Sequence, residues 1–256
     1  MIFFYEWPIS WSISSFMVTA LGLNILIYLA THWSIRGMLA KSHERTGRVL
    51  FRTTASLLAL LLSFTFANQR VNHYKIKDSL EAEAAKLVDI MVDLWLYNTD
   101  EAKDIQEKIR HYITSMLKED KGPENVNPLL SGPVFIFISI NNSILNLSVT
   151  NEKQAQLKSN LLADIDEVSD YMQIRSYRLK PEPIYLIYLA TFGFIVSSIL
   201  FSVYRPDKIS IAFFTLYNAF VALVLYFIIM MNNPMIGPFK ITNEPFKTVI
   251  ELANMK

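Results

Sequence analysis

The sequence predicts an all-α, polytopic membrane protein in which a helical soluble insert lies between the second and third of four transmembrane helices. Hydrophobic residues make up 52% of the 256 positions, and charged residues only 18%. Four runs without a charged residue are each long enough to cross a bilayer as a helix: 7–35, 53–69, 183–204 and 209–239. The segment between the second and third runs carries most of the charges and shows helical periodicity.

These runs predict four regions: a first transmembrane hairpin (1–67), the soluble insert (68–182), a second transmembrane hairpin (183–231) and a tail (232–256). The first span, about 9–33, follows an aromatic-rich segment of the kind found in the headgroup zone. Asn24, near its centre, is expected to bridge to a neighbouring helix. A short basic connection, 36–48, then leads to the second span.

The second span continues without Gly or Pro into the polar residues 70–77, which predicts one helix that couples the insert to the membrane. Small or mildly polar side chains recur on it at steps of three and four residues and therefore share one face. We call the first five of these residues the stripe, namely Thr53, Ser56, Leu60, Ser63 and Ala67, and Arg70 follows them on the same face. Two interpretations remain open. The stripe is either a seam where helices pack closely in lipid or the wall of a pore.

The insert is predicted to be mainly helical. Asp78-Ser79 followed by Glu81 resembles a helix start or restart. An apolar face follows, and a second helix is expected over 100–118 and a third over 154–178. The apolar face comprises Leu80, Ala84, Leu87, Val88, Met91 and Trp95. Residues 134–149 fit a β-hairpin that turns at Asn141-Asn142 or a buried helix entered at Pro133, and we favour the helix.

Basic residues cluster at both ends of the insert, next to the second and third spans, whereas its remainder is strongly acidic. This basic collar consists of Arg70, Lys75, Lys77, Arg175, Arg178 and Lys180. Basic residues beside a bilayer bind anionic lipid headgroups. In a ring of subunits, the same collar would concentrate anions at a pore mouth. The sequence leaves both interpretations open.

Several classes of active site are not indicated. The chain has no cysteine, and its four histidines are scattered without carboxylate partners at metal-binding spacing. It has no glycine-rich phosphate loop and no nucleophile elbow. The acidic residues of 164–170 fall on several faces of a helix and are expected to be solvated. We therefore expect no enzyme activity, no cofactor and no metal site.

Two stretches resemble a known family. Residues 61–67 (LLSFTFA), then Arg70 and the element Glu81-Ala82-Glu83-Ala84, resemble bacterial bestrophin-like membrane proteins. In that family, a Leu-rich span ending in Phe-Thr precedes an Arg and a Glu-Ala-Asn-Ala element. The tail over 233–246 is similar to the family's Asp-x-Pro-Phe-x-Gly…Pro-x-Pro ending. Glu83 and Asn233 stand where the family usually has Asn and Asp.

The resemblance implies an oligomeric anion channel in the bacterial plasma membrane, with the second span lining the pore. It also implies that the insert and both termini are cytoplasmic. The basic residues of the short loops at 36–48 and 205–208 favour the opposite orientation by the positive-inside rule. We follow the resemblance, because long inserts carry little weight in that rule.

The predicted function is thus a homo-oligomeric, gated, anion-conducting channel of four or five subunits, with the stripe lining the pore. A channel that stayed open would dissipate the membrane potential, so a gate is required. The collar favours an anionic regulator such as a nucleotide or a short oligonucleotide, as in membrane effectors of bacterial antiviral defence. The alternative is a non-conducting scaffold or sensor whose collar binds membrane lipids and whose insert binds a protein partner.

Overall fold

The chain is α-helical wherever its structure is described. The computed structural model describes residues 9–35, 41–118, 132–178, 185–232, 234 and 238–254, and these contain helices and turns but no strand. The helices are α1 (Ile9–Ile35), α2 (Lys41–Tyr97), α3 (Asp100–Lys118), α4 (Gly132–Leu145), α5 (Glu152–Arg178), α6 (Tyr185–Phe201), α7 (Lys208–Met231) and α8 (Pro245–Asn254). The all-α prediction is confirmed for this part of the chain.

The chain forms two compact units. The membrane unit comprises Met1–Val71 and Pro181–Phe239, and the insert unit comprises Asn72–Lys180 and Lys240–Lys256. Among the described residues, three helices are long and apolar enough to cross a membrane, namely α1, α2 and α7. The helix of the predicted third span, α6, has 17 residues and is shorter than these. The described residues therefore support three of the four predicted spans by length.

The membrane unit is organised around α7. Val221, Ala222 and Leu225 of this helix are buried against apolar side chains of α6 and of the 58–62 segment of α2. A second apolar cluster consists of the aromatic residues Tyr28, Phe201 and Phe214. As the sequence predicts, Asn24 bridges between helices, because the Ser198 hydroxyl of α6 donates a hydrogen bond to its side-chain oxygen.

The insert unit has a single core, to which α2, α3, α4 and α5 contribute apolar side chains. Leu87 and Ile90 of α2, Ile109 of α3 and Ile140 of α4 are fully buried in it. The chain terminus contributes as well, since Phe246 and Val249 of α8 belong to the same core. The tail, expected as a separate region, is thus part of the insert unit from Lys240 onwards.

Local sequence signals explain where these helices begin and end. Asn98 has φ of 52°, the left-handed conformation that commonly terminates a helix, and it separates α2 from α3. The Thr99 hydroxyl then accepts a hydrogen bond from the Ala102 amide and caps α3. Asn151 and Asp207 cap α5 and α7 in the same way, through the amides of Gln154 and Ser210.

Three features of the insert unit refine the predictions. Asp78 does not start a helix, because α2 runs without interruption from Lys41 to Tyr97. Residues 48–97 contain no Gly and no Pro, and this outweighs the capping signal of Asp78. The ambiguous run at 134–149 is helical as far as Leu145, as favoured. Trp95, expected on the buried apolar face, is 73% exposed.

Candidate pore helix and basic collar

The stripe lies on an uncovered face of α2. Thr53, Ser56, Leu60, Ser63 and Ala67 are all exposed in the single chain. The opposite side of the same segment is buried within the membrane unit through Leu58, Leu62, Thr65 and Gln69. The structure therefore places the five predicted residues together on one surface, and none of the described helices covers that surface.

The packed side of α2 is held in the middle of the stripe and just beyond its end. Leu58 lies against Gly193 of α6, where an added Cβ would come within 3.0 Å of a Leu58 methyl group. The Gln69 side-chain amide donates a hydrogen bond of 3.2 Å to Asn232 at the end of α7. These contacts fix the rotation of α2 and thereby determine which residues remain exposed.

The stripe carries no charge, and two of its three hydroxyl groups donate hydrogen bonds within the helix. The hydroxyls of Thr53 and Ser63 donate to the carbonyl oxygens of Val49 and Ala59, four residues earlier, at 3.1 and 2.8 Å. Back-bonded hydroxyls still present oxygen lone pairs outward. The surface of the stripe is therefore weakly polar, and most of its side chains are small. Such a surface suits either a water-filled path or a close contact between helices.

Three residues of the basic collar lie on exposed positions of α2. Arg70, Lys75 and Lys77 are exposed. The Lys77 ammonium lies 3.5 Å from the Glu81 carboxylate, and both side chains are more than half exposed. Such a solvated pair contributes little to stability. Arg178 is the last residue of α5, but its side chain lies outside the described residues, as does the whole of Lys180.

Arg175 occupies a different environment from the other collar residues. It is 7% exposed and lies 3.3 Å from the carboxylate of Glu83, which is fully buried. The Tyr112 hydroxyl donates a 2.6 Å hydrogen bond to the same carboxylate. In the described chain, Arg175 is therefore a buried partner of Glu83 on α2 and does not extend an exposed anion-binding surface.

Burial has the largest effect on the pKa of Glu83 and raises it. The Arg175 guanidinium and the hydrogen bond from Tyr112 both lower this pKa and oppose the rise. Burial and the neighbouring Glu83 carboxylate also raise the pKa of Tyr112 well above its ordinary value. The carboxylate thus depends on two specific partners, one from α3 and one from α5.

A sequence signal for this pair exists. Glu83 lies three residues after Leu80 and four before Leu87, in phase with the buried face of α2. Arg175 lies seven residues after Val168, in phase with the buried face of α5. One acid and one base, each alone on an apolar helix face, indicate a buried ion pair.

Asp166 and Asp170 of α5 are exposed, as expected, whereas Asp164 and Glu167 pair with a lysine. The Lys86 ammonium of α2 lies 2.8 Å from Asp164 and 3.1 Å from Glu167. An open depression beside them is lined by Asp89, Asp93 and Asp164, together with Val92, Asn160 and Ala163. Within the described ranges, no group of three potential ligands is arranged to hold a metal ion.

Comparison with known proteins identifies the family. The model of the bestrophin-like domain matches residues 17–246, which include α2 and both stretches that resemble the family. The chain belongs to the bestrophin-like family. No protein of curated function matches this bestrophin-like chain.

Solved structures share the fold of the bestrophin-like chain. Crystal structures of a bacterial bestrophin homolog from Klebsiella pneumoniae superpose with TM-scores of 0.68 to 0.70 at 12–13% identity. In these three comparisons, 93% of the present chain and 97–99% of the homolog are covered. At this identity the likeness concerns the fold, so the roles of individual side chains must come from the chain itself.

Proposed function

We propose that this bestrophin-like membrane protein is an ion channel of the bestrophin type, in which the stripe of α2 lines the pore of a homo-oligomer of four or five subunits. One observation carries the proposal. All five stripe residues are exposed, while the opposite side of the same helix is packed in its own chain. Several copies that turn these stripes towards a common axis would enclose a path lined by small, weakly polar groups.

The chemistry of the stripe supports ion passage. Ser56, Ser63 and Ala67 are small, so they leave space near an axis. The hydroxyl oxygens offer weak contacts to a partly hydrated ion without trapping it, and conduction requires such weak binding. A lipid-facing surface has no comparable use for hydroxyl groups. The neighbouring Leu57 and Phe64, 62% and 67% exposed, are large and apolar and suit contacts with lipid or with another subunit.

Substitution of Ser63 with Trp tests the pore assignment. The indole of Ser63→Trp would project into the path, so ion flux through purified protein in liposomes should fall at least about tenfold, because a narrowed pore loses conductance steeply. Assembly, measured by size-exclusion chromatography in detergent, should be unchanged. Leu216→Trp is the matched control, because Leu216 on α7 is 70% exposed and lies off the stripe.

The pore and the seam interpretations of the stripe predict different results for these two variants. If Ser63→Trp dissociates the oligomer and Leu216→Trp does not, the stripe is a seam between helices of different chains. If flux is normal in both variants, the pore does not run along the stripe.

The gate and the cellular role are part of the same proposal. We propose that the insert and both termini are cytoplasmic in the bacterial plasma membrane, and that an anionic nucleotide or oligonucleotide opens the channel as an antiviral effector. Arg70, Lys75 and Lys77 are the exposed basic residues that support such a ligand. Flux measured with and without added nucleotides or short oligonucleotides tests this part. Because Arg175 is buried, the collar supports the expected anion conduction less than the sequence suggests.

A scaffold or sensor remains the second candidate, favoured by one observation on the insert. Trp95 is 73% exposed near the end of α2. Exposed Trp side chains often anchor protein partners. A protein that binds a partner through this residue and gives no ion flux in liposomes would be a scaffold.

A further inference from the structure

Basic residues cluster where the helices of the membrane unit begin and end. Residues 36–52 and 205–208 together contain seven Lys or Arg but only two Asp or Glu. Five of these basic residues are exposed, and we call them the basic patch: Arg45, Arg48 and Arg52 on α2, and Arg205 and Lys208 at the turn between α6 and α7. The three on α2 are spaced by three and four residues and therefore share one side of that helix.

Tyr204 joins the two parts of the basic patch. The Arg48 guanidinium lies over its ring, 5.4 Å from the centroid, and Arg205 is the next residue in the chain. The Tyr204 ring stacks on Phe201 with 4.7 Å between the ring centroids. The Tyr204 carbonyl oxygen accepts a 3.1 Å hydrogen bond from the Tyr28 hydroxyl of α1. Arg48 is therefore positioned by an aromatic ring that is itself held from two sides.

The backbone around the basic patch is closely packed. A Cβ added at Gly47 of α2 would lie 2.5 Å from a methyl group of Val203. A ring nitrogen of His32, in the last turn of α1, lies 2.7 Å from the Ser202 carbonyl oxygen. These contacts fix α1 and α2 to the segment that follows α6, so the patch is built on a rigid support.

The charges of the patch suit a phosphate group. A guanidinium binds phosphate through a planar fork of N–H donors, and a cation–π contact uses none of these donors. Arg52, Arg205 and Lys208 form no ion pair with any residue that the structure describes. The carboxylate of Asp207 in the same turn caps α7 instead, because it accepts a 2.9 Å hydrogen bond from the Ser210 amide.

An apolar surface begins directly beside these charges. Exposed apolar side chains follow Lys208 along α7 at steps of four and three residues and therefore share one face. They are Ile209, Phe213, Leu216 and Phe220, between 65% and 70% exposed. From the first to the last of them the face is about 16 Å long. This length is close to half of a hydrocarbon core that is about 30 Å thick.

We propose that this surface binds a phospholipid with an anionic headgroup. Arg48, Arg205 and Lys208 bind its phosphate, and an acyl chain lies along the apolar face of α7. A free phosphate would use only the charges, whereas a lipid uses the charges and the apolar face together. The site concerns the membrane unit alone and does not require ion conduction. It gives the basic residues of the two short loops a role that is independent of the side of the membrane they occupy.

Native mass spectrometry of the detergent-solubilised full chain tests the proposal. The protein is incubated with equal amounts of phosphatidylglycerol and phosphatidylcholine, and the wild type should retain phosphatidylglycerol preferentially. Arg48→Gln/Arg205→Gln should weaken the binding of phosphatidylglycerol at least about tenfold, because two cationic contacts with the headgroup are lost. Size-exclusion chromatography shows whether each variant has folded and assembled.

Two further variants separate a specific site from a general effect of charge. Lys103→Gln/Lys153→Gln removes two exposed lysines from the insert unit and should leave lipid retention unchanged. Tyr204→Leu keeps every charge of the patch but removes the ring that positions Arg48. It should weaken binding about threefold, which a site of unpositioned charges would not show.

A third variant covers the case in which Arg48→Gln/Arg205→Gln does not fold. Arg52→Gln/Lys208→Gln changes two exposed side chains without an ion-pair partner among the described residues, so folding should be retained. It should weaken the binding of phosphatidylglycerol in the same direction.

Addition of inorganic phosphate distinguishes the two sources of the anionic group. Phosphatidylglycerol should raise the Tm of the wild type in detergent, and inorganic phosphate at the same concentration should not. Equal stabilisation by both would show a free-phosphate site and overturn the lipid assignment. Equal retention of the two lipids by the wild type, unchanged retention in the folded patch variants, or an equal loss in the lysine control would each overturn the inference as well.

Discussion

Glu83 illustrates how strongly a single residue depends on its surroundings in this chain. Its carboxylate is fully buried, and its charge is balanced by Arg175 at 3.3 Å and by the hydroxyl of Tyr112. Removing one partner of such a pair leaves an uncompensated buried charge, which costs about 3–5 kcal/mol. Arg175→Glu, the reversal that an exposed collar would suggest, would place a second carboxylate beside Glu83 and should prevent folding of the insert unit.

The stability of the insert unit should depend on the ionisation of Glu83. In the folded chain the pKa of Glu83 lies above its ordinary value of 4.5. At a pH between the ordinary and the raised pKa, the folded chain keeps a proton on Glu83 that the unfolded chain releases. The contribution of Glu83 to stability is therefore fully present below the unfolded pKa and is lost as pH rises through the folded pKa. Glu83→Gln does not titrate, so it should lose this pH dependence.

Thermal unfolding from pH 4.5 to pH 8 measures this pH dependence, as the difference in Tm between Glu83→Gln and the wild type at each pH. Glu81→Gln, two residues earlier and solvated, should follow the wild-type pH profile. Parallel profiles for wild type and Glu83→Gln would show that burial does not perturb the Glu83 carboxyl group.

At the scale of the helices, glycine allows one close contact in the membrane unit. A Cβ added at Gly47 of α2 would lie 2.5 Å from Cγ2 of Val203, just after α6. Gly47→Ala should therefore lower the stability of the membrane unit by about 1–3 kcal/mol through overpacking. The measurement is the thermal unfolding midpoint in detergent.

Another glycine in the same unit provides the control. A Cβ at Gly22 of α1 would meet no atom within 4 Å. Gly22→Ala should be neutral or stabilising by up to about 1 kcal/mol, because alanine favours the helix. Combining Gly47→Ala with Val203→Ala should restore part of the loss. Equal Tm values for Gly22→Ala and Gly47→Ala would contradict the close-contact explanation.

The helices were largely predictable, and the errors have physical causes. The charge-free run predicts α1, and apolar periodicity predicts α3 and α5, each to within a few residues. Asp78 suggested a helix start because short acidic residues favour caps, but a run without Gly or Pro has no reason to break there. Trp95 was assigned to the core by its hydrophobicity, whereas its position on α2 turns it outward. The exposure of the stripe was not predictable, since periodicity defines a face but not what covers it.

At the scale of the whole molecule, the chain terminus is the part that sequence patterns describe least well. The tail follows the last membrane helix and resembles an appendage, yet α8 packs on α3, more than a hundred residues earlier. The Asn243 side-chain amide donates a 2.9 Å hydrogen bond to the Met116 carbonyl. Such a long-range contact leaves no periodic signal, because it depends on the topology of the complete chain.

The family likeness is informative about the arrangement of the helices and less informative about individual side chains. The match over residues 17–246 includes the membrane helices and almost the whole insert unit. At 12–13% identity, helix packing is retained while most side chains differ. Departures such as Glu83 therefore have to be understood from their own partners, as with Arg175 and Tyr112.

The insert unit should be incomplete without the tail, and a single substitution can test this. Phe246 is fully buried in the core of the insert unit. Phe246→Ala should lower stability by about 3–5 kcal/mol, since it removes a buried ring and leaves a cavity. The neighbouring Lys247 is largely exposed, so Lys247→Ala should change stability by less than about 0.5 kcal/mol. Thermal unfolding and limited proteolysis of the insert measure both variants.

If α8 were a loose appendage, the two variants would unfold at the same temperature and be cleaved at the same rate. The expected difference requires α8 to complete the core of the insert unit, to which Phe246 and Val249 both belong.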